Sequence, residues 1–318
     1  HPVLGDFTPR QNTLGYLEGG LHGGVTTMIS AGECHTPGRP KDPAGVKALA
    51  ILAHKAFKNF RPNGLKIHGG ALILEKGLQE KDFDDLAAEG VWLVGEIGLG
   101  SVKTSDEAAP MVKWAKERNM KVAMHTGGTS IPGSSTVTAD MVIKTDPTVV
   151  SHINGGHTAV SLTEIDKLID HTQLTLEIVQ CGNPKVMDYV ARKMAEKDKL
   201  DRIIIGNDSP SGTGIIPLGI LRTIVQLSSV SGIPAAKAIA LASGNTARVY
   251  GLNTSMIEVG READLVIIDN PMGSVGTNAL EAIEAGDLPA VALVMIDGEI
   301  RITKSRNTPP ATRKIEVC

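Results

Sequence analysis

Four side chains of the kind that bind metals or carry protons recur in one local setting. Each ends a short apolar run and is followed closely by glycine or a small polar loop. Glu96 sits in Val94-Gly95-Glu96-Ile97-Gly98 and His125 in Met124-His125-Thr126-Gly127-Gly128. His152 sits in Ser151-His152-Ile153-Asn154-Gly155-Gly156 and Asp208 in Gly206-Asn207-Asp208-Ser209-Pro210. Two imidazoles with two carboxylates suit Zn2+ or Fe2+, and a shared carboxylate suits a pair of cations. Such cations lower the pKa of bound water toward about 7, which makes a nucleophile at neutral pH. Taken singly, each residue has a plainer reading. A lone histidine after a strand is commonly a hydrogen-bonded loop or core residue, and Asp208 could cap a helix before Ser209-Pro210. Glu96 is harder to set aside, because an unpaired buried carboxylate is costly.

These four can share one site only if the elements that carry them end on one face. Apolar, β-branched runs occur at 25–30, 64–68, 91–96, 121–125, 149–153, 175–179 and 202–206. Their apolarity is continuous rather than alternating, which marks strands covered on both faces, as in a parallel sheet. Between them the period becomes helical. Asp106 and Glu107 open one helix near Pro110, and residues 185–197 form another after Asn183-Pro184. Acidic first-turn residues offset the helix dipole, and proline is tolerated there. Alternating strands and helices predict right-handed crossovers and a parallel sheet. Seven such strands predict an α/β fold, a (β/α)8 TIM-type barrel with its first strand truncated, whose strand ends converge on one catalytic face. An open doubly wound sheet is the alternative, but no Gly-x-Gly-x-x-Gly follows the early strands.

The pattern changes near Gly251. Residues 1–251 are expected to form the barrel, N-terminally truncated, and 252–318 part of a small β-sandwich domain plus tail. Residues 263–269 and 292–298 read as strands with an Asp297-Gly298 turn. The helical period stops, and the last dozen residues read as a loose tail.

Composition narrows the function. The chain has 318 residues, 42% hydrophobic and 21% charged, which is enough to bury a full core. Its net charge of -3 argues against a nucleic-acid or anionic-membrane surface, and 3% aromatics leave few stacking platforms. No apolar stretch is long enough for a membrane span. Cys34, Cys181 and Cys318 are far apart and read as unpaired thiols, which fits a cytoplasmic protein. Lys66 and His68 share one strand face, so Lys66 is a bridging carboxylated lysine, a substrate or supporting group, or a paired structural lysine.

Longer motifs surround these residues. They are LHGGVTTMISAG at 21–32, HTGGTSIPGSSTVTAD at 125–140, EIVQCGNP at 177–184, GNDSPSGTG at 206–214 and GREADLV at 260–266. Together they resemble the amidohydrolase superfamily through essentially the whole chain, and within it the bacterial ring-opening branch of nicotinate fermentation. The resemblance implies that Glu96 bridges two metals, that His125 and His152 bind the second, and that Asp208 binds the first and handles the proton. It implies that His1 is the second histidine of a His-x-His pair whose first member lies upstream; by spacing alone His1 reads as a tag residue. The metals implied are Fe(2+) and Zn(2+). The reaction implied is hydrolysis of a small cyclic amide bearing a carboxylate, 6-oxo-1,4,5,6-tetrahydronicotinate, to 2-formylglutarate and ammonia. A homo-oligomer, a tetramer, is also implied. The loop from Thr126 to Thr138 offers hydroxyls and N–H groups that could hold the substrate carboxylate. Two alternatives stay open: another cyclic amidohydrolase of hydantoinase, dihydroorotase or imidazolonepropionase type, and a non-catalytic barrel scaffold.

Overall fold

Strand and helix alternate from the first described residue onward. A computed structural model describes residues 13–32, 38–128, 136–155, 158–208, 216 and 218–316. The elements in chain order are α1 (Thr13–His22), β1 (Thr27–Ile29), α2 (Pro43–Asn59), β2 (Lys66–His68), α3 (Glu80–Ala88) and β3 (Leu93–Ile97). Next come α4 (Ser105–Glu117), β4 (Lys121–His125), α5 (Ala139–Thr145), β5 (Val149–Ser151), α6 (Leu162–His171) and β6 (Thr175–Val179). Then follow α7 (Pro184–Glu196), β7 (Ile203–Gly206), α8 (Gly219–Ser229), α9 (Ala235–Ala242) and α10 (Gly244–Tyr250). The last are β8 (Leu265–Asp269), α11 (Ala279–Ala285), β9 (Ala290–Ile296) and β10 (Glu299–Ile302).

All seven expected strands form, and they run parallel. β3 to β7 make one sheet in chain order, and β1 pairs with β2. The two sheets join where Leu72 bridges Val94, with the Gly95 N–H donating to Leu72 O at 2.8 Å. This is a TIM-type barrel wall; among the described residues β7 and β1 are not paired with each other. Leu176, Ile178 and Val122 are fully buried in one core cluster with Phe83, Val190 and Met194 of the helical layer, so the helix-facing side of the strands is covered.

Local chemistry sets the helix ends. Thr104 and Glu107 form a capping box at α4, where the Thr104 hydroxyl accepts from Glu107 N–H and the Glu107 carboxylate accepts from Thr104 N–H. Asn183 Oδ1 accepts from Lys185 and Val186 N–H at the start of α7. Both helices therefore start where acidic residues or Asn-Pro mark them.

Two expectations for the C-terminal part need correction. First, helix returns after Gly251, as α11, seated by Asn278 Oδ1 on Leu280 and Glu281 N–H. Beside it β10-β9-β8 form one antiparallel three-stranded sheet. Second, the tail is held: Arg313 pairs with Asp269, whose carboxylate it keeps down at about 2, and Thr312 N–H donates to Asn270 O. Only 317–318 of that segment lie outside the described residues. No described helix is long and apolar enough to cross a membrane.

Candidate metal centre

The strand ends place three of the four chemical residues within reach of one ion. β3 carries Glu96 into the barrel. Gly95 just before it has no room for a side chain, since an added Cβ would lie 2.4 Å from Ala31 O. That close approach lets Glu96 N–H donate to Ala31 O at 3.0 Å. His125 is the last residue of β4. His152 is the first residue beyond β5 and turns inward with φ +36. Its Nε2 lies 3.0 Å from Glu96 Oε1 and 3.1 Å from His125 Nδ1. All three residues are buried.

The neighbouring loops are fixed by polar side chains. The Thr126 hydroxyl donates to Ser151 O at 2.8 Å. Asn154, fully buried, donates to Val179 O and accepts from Val179 N–H, both at 2.9 Å, so it pins the turn after His152 to β6. Asp208 follows β7 with φ +48, and its Oδ2 accepts from the Cys181 thiol at 3.2 Å.

Negative charge is concentrated here. Glu96, Glu177 and Asp208 all line one cavity of about 760 Å3. Burial disfavours a charged His152, but Glu96, with Asp208 and Glu177 behind it, outweighs that and pushes the imidazole up to about 9. Glu177 is pushed up to about 7 by burial and by the Glu96 and Asp208 carboxylates, with His152 opposing. Burial, then Asp208, pushes the Cys181 thiol up; burial, then Glu177 and Glu96, does the same to the Tyr250 hydroxyl. Three carboxylates around one interior are expensive unless a cation offsets them.

The donor set fits such a cation. Ligand atoms of Glu96, His125 and His152 all lie within 4.8 Å of one another. The separations that involve His152 come close to the roughly 3.3 Å between ligands of a tetrahedral zinc with bonds of about 2.0–2.1 Å. His152 Nδ1 is buried with no hydrogen-bond partner among the described residues, so the ring is held through Nε2 alone.

A second acidic group, Glu262, Asp264 and Asp297, has a similar spacing. The Lys66 ammonium already fills it, at 2.5, 2.7 and 2.8 Å from the three carboxylates. Lys66 is thus the paired structural lysine of the three readings, and His68 stacks edge-on against Trp92 at 5.3 Å.

Of the expected residues, Glu96, His125 and His152 come together, and Asp208 faces the same cavity without joining their cluster. His1 lies outside the described residues, as do 129–135 of the loop expected to hold a carboxylate. At that loop's ends the Thr126 hydroxyl donates to Ser151 O, and Thr138 caps α5. Sequence reasoning missed Glu177 and Cys181. The signal for Glu177 was a lone carboxylate inside the apolar run 176–179.

A sequence profile described as the Amidohydrolase family matches residues 15–301. The chain is 61% identical over 317 residues to an enamidase from Eubacterium barkeri, covering 100% of this chain and 82% of the relative. It superposes on a crystal structure of enamidase with a TM-score of 0.94 at 62% identity, covering 98% of this chain and 80% of that one. A β-aspartyl dipeptidase from Fervidobacterium islandicum AW-1 shares the fold, with a TM-score of 0.61 at 17% identity over 93% of this chain and 79% of that one.

Proposed function

The chain belongs to the amidohydrolase family, and on that premise we propose that it opens a cyclic enamide, 6-oxo-1,4,5,6-tetrahydronicotinate, at a centre of two divalent cations. It is an enzyme acting on carbon–nitrogen bonds, closely similar to enamidase. In this reading Glu96 would serve both cations, His125 and His152 would hold one, and Asp208 with His1 would hold the other. The resemblance implies Fe2+ and Zn2+, and two imidazoles with carboxylates suit either cation. When bound, the cations supply an acidified water and a polarised lactam carbonyl.

The chain's own residues do the rest. Asp208 accepts the proton of the attacking water on a carboxylate oxygen as the C–O bond forms at the lactam carbon. It returns that proton to the ring nitrogen as the C–N bond breaks. The released enamine tautomerises to an imine. A second water converts this to the aldehyde of 2-formylglutarate and frees ammonia. The buried walls around Glu96 and His152 limit stray water, so the charge on Asp208 is felt at short range. The barrel is read as residues 1–251 and the appended sheet as 252–318. We read the protein as a cytoplasmic homo-oligomer, a tetramer, in keeping with its scattered cysteines and its similarity to enamidase.

The observation that carries this proposal is the buried Glu96–His125–His152 cluster beside Asp208, in a chain 61% identical to an enamidase. A substrate panel tests it. Ring opening, followed by chromatography of substrate and product, should be seen with the tetrahydronicotinate lactam, with one ammonia freed per turnover, and not with hydantoin, dihydroorotate or imidazolonepropionate, whose opening frees no ammonia. Faster turnover of one of the latter would move the protein to another cyclic-amide branch, and no metal and no turnover would favour a scaffold.

A further inference from the structure

Glu177 lines the cavity of the site, half-buried beside Glu96, yet the reaction above gives it no task. It projects from the middle of β6, where its register partner on β7 is Ile204. Its Oε2 accepts a hydrogen bond from His152 N–H at 3.3 Å, while its own backbone O accepts from Ile153 N–H at 2.8 Å. On its other side it presses on β7: a Cβ added to Gly206 would lie 2.3 Å from Glu177 Oε1. The carboxylate is therefore wedged between the end of β5 and a glycine on β7.

His152 needs such a support. Its φ of +36 is a left-handed conformation that costs a non-glycine residue free energy. β5 ends at Ser151, so the His152 N–H has left the strand ladder and, being buried, requires another acceptor. Glu177 is that acceptor. From the other end, Gly155 N–H donates to His152 O at 2.5 Å. Clamped at both N–H and C=O, the residue turns its ring so that Nε2 meets Glu96 and His125.

We propose that Glu177 is a positioning residue, which holds His152 in its left-handed conformation and so pre-forms the cation cluster. Its role is to accept one hydrogen bond, which a carboxyl oxygen does in either protonation state and which an amide oxygen can also do. The inference rests on the reading of Glu96, His125 and His152 as ligands, but not on any substrate.

The test compares Glu177→Gln, Glu177→Leu and Gly206→Ala. Zn2+ affinity is measured by chelator competition, and exchange of the His152 amide is followed by NMR in the metal-free protein. Glu177→Gln should keep Zn2+ affinity within about threefold and preserve amide protection. Glu177→Leu should lose about 10- to 100-fold in affinity, the usual effect of removing a group that orients a ligand. Its His152 amide should exchange at least tenfold faster. Gly206→Ala keeps the carboxylate but displaces it, and should follow Glu177→Leu, which serves if the leucine variant does not fold. With metal saturating, KM for substrate should stay unchanged in all three. If Glu177→Gln is as damaging as Glu177→Leu, charge rather than acceptance matters and the proposal fails. Wild-type affinity with slow His152 exchange in Glu177→Leu also overturns it. Should the wild type bind no Zn2+ at all, the metal reading fails, and the exchange arm alone decides whether Glu177 holds His152.

Discussion

At the scale of single residues the site is a contest between burial and mutual attraction. His152 stays protonated in the metal-free protein because Glu96 lies 3.0 Å away. The sign of the pH effect follows. The proton is held below about pH 9 and lost above it, and a cation that takes Nε2 must displace it. Zinc loading at pH 7 should therefore release protons, and the release should fade as pH passes 9. Calorimetry in buffers of different ionisation enthalpy measures this, and loading without proton release at pH 7 would count against His152 as a ligand. Asp208 makes a separate prediction. Asp208→Asn keeps the shape but cannot carry the proton, so kcat should fall by about 100-fold or more. Unchanged turnover with full metal content would remove Asp208 from the reaction.

Among the elements, the strands were the most legible part of the sequence. Their centres, such as Val149-Val150 and Ile203-Ile204-Ile205, are apolar and buried because helices cover one face and the barrel interior the other. Glu96, His125 and His152 were legible as candidates for the same reason, since a polar side chain at the end of such a run has few structural uses. Glu177 was not singled out because it lies within its run rather than at the end. The seven-residue α11 was missed because so short a helix carries barely two turns of pattern, and the Asn278 cap was its main signal. Sequence also hid Arg202, which reaches back from just before β7 to the end of α6. Its guanidinium donates to Ile169 O and Leu174 O at 3.0 Å and to Leu168 O at 3.3 Å. It meets the negative end of the helix dipole and satisfies carbonyls that would be orphaned. Arg202→Ala should cost about 3 kcal/mol, read from denaturant melts, and lysine should restore little because one ammonium cannot span the fan. A loss within about 0.5 kcal/mol would mean that water replaces it.

For the whole molecule, Lys66 couples the barrel to the appended sheet. It leaves β2 and meets Glu262 and Asp264 beside β8 and Asp297 in the β9–β10 turn. Asp264 is the partner that matters, because its side chain is 0% exposed while the other two are 41% exposed and well screened. Asp264 keeps the Asp297 N–H at 2.9 Å when the lysine is gone, which moderates the loss. Lys66→Met should destabilise by about 2 kcal/mol, and adding Asp264→Asn should recover part of it. A double variant no more stable than the single one would show that the coupling does not run through this pair.

Crystals soaked in Zn2+ and measured at the zinc absorption edge give the most direct view of the cluster. An anomalous peak should lie within bonding distance, about 2.0–2.2 Å, of a Glu96 oxygen, a His125 nitrogen and His152 Nε2. Anomalous density absent from that position, or present only at the Lys66 cluster, would contradict the account.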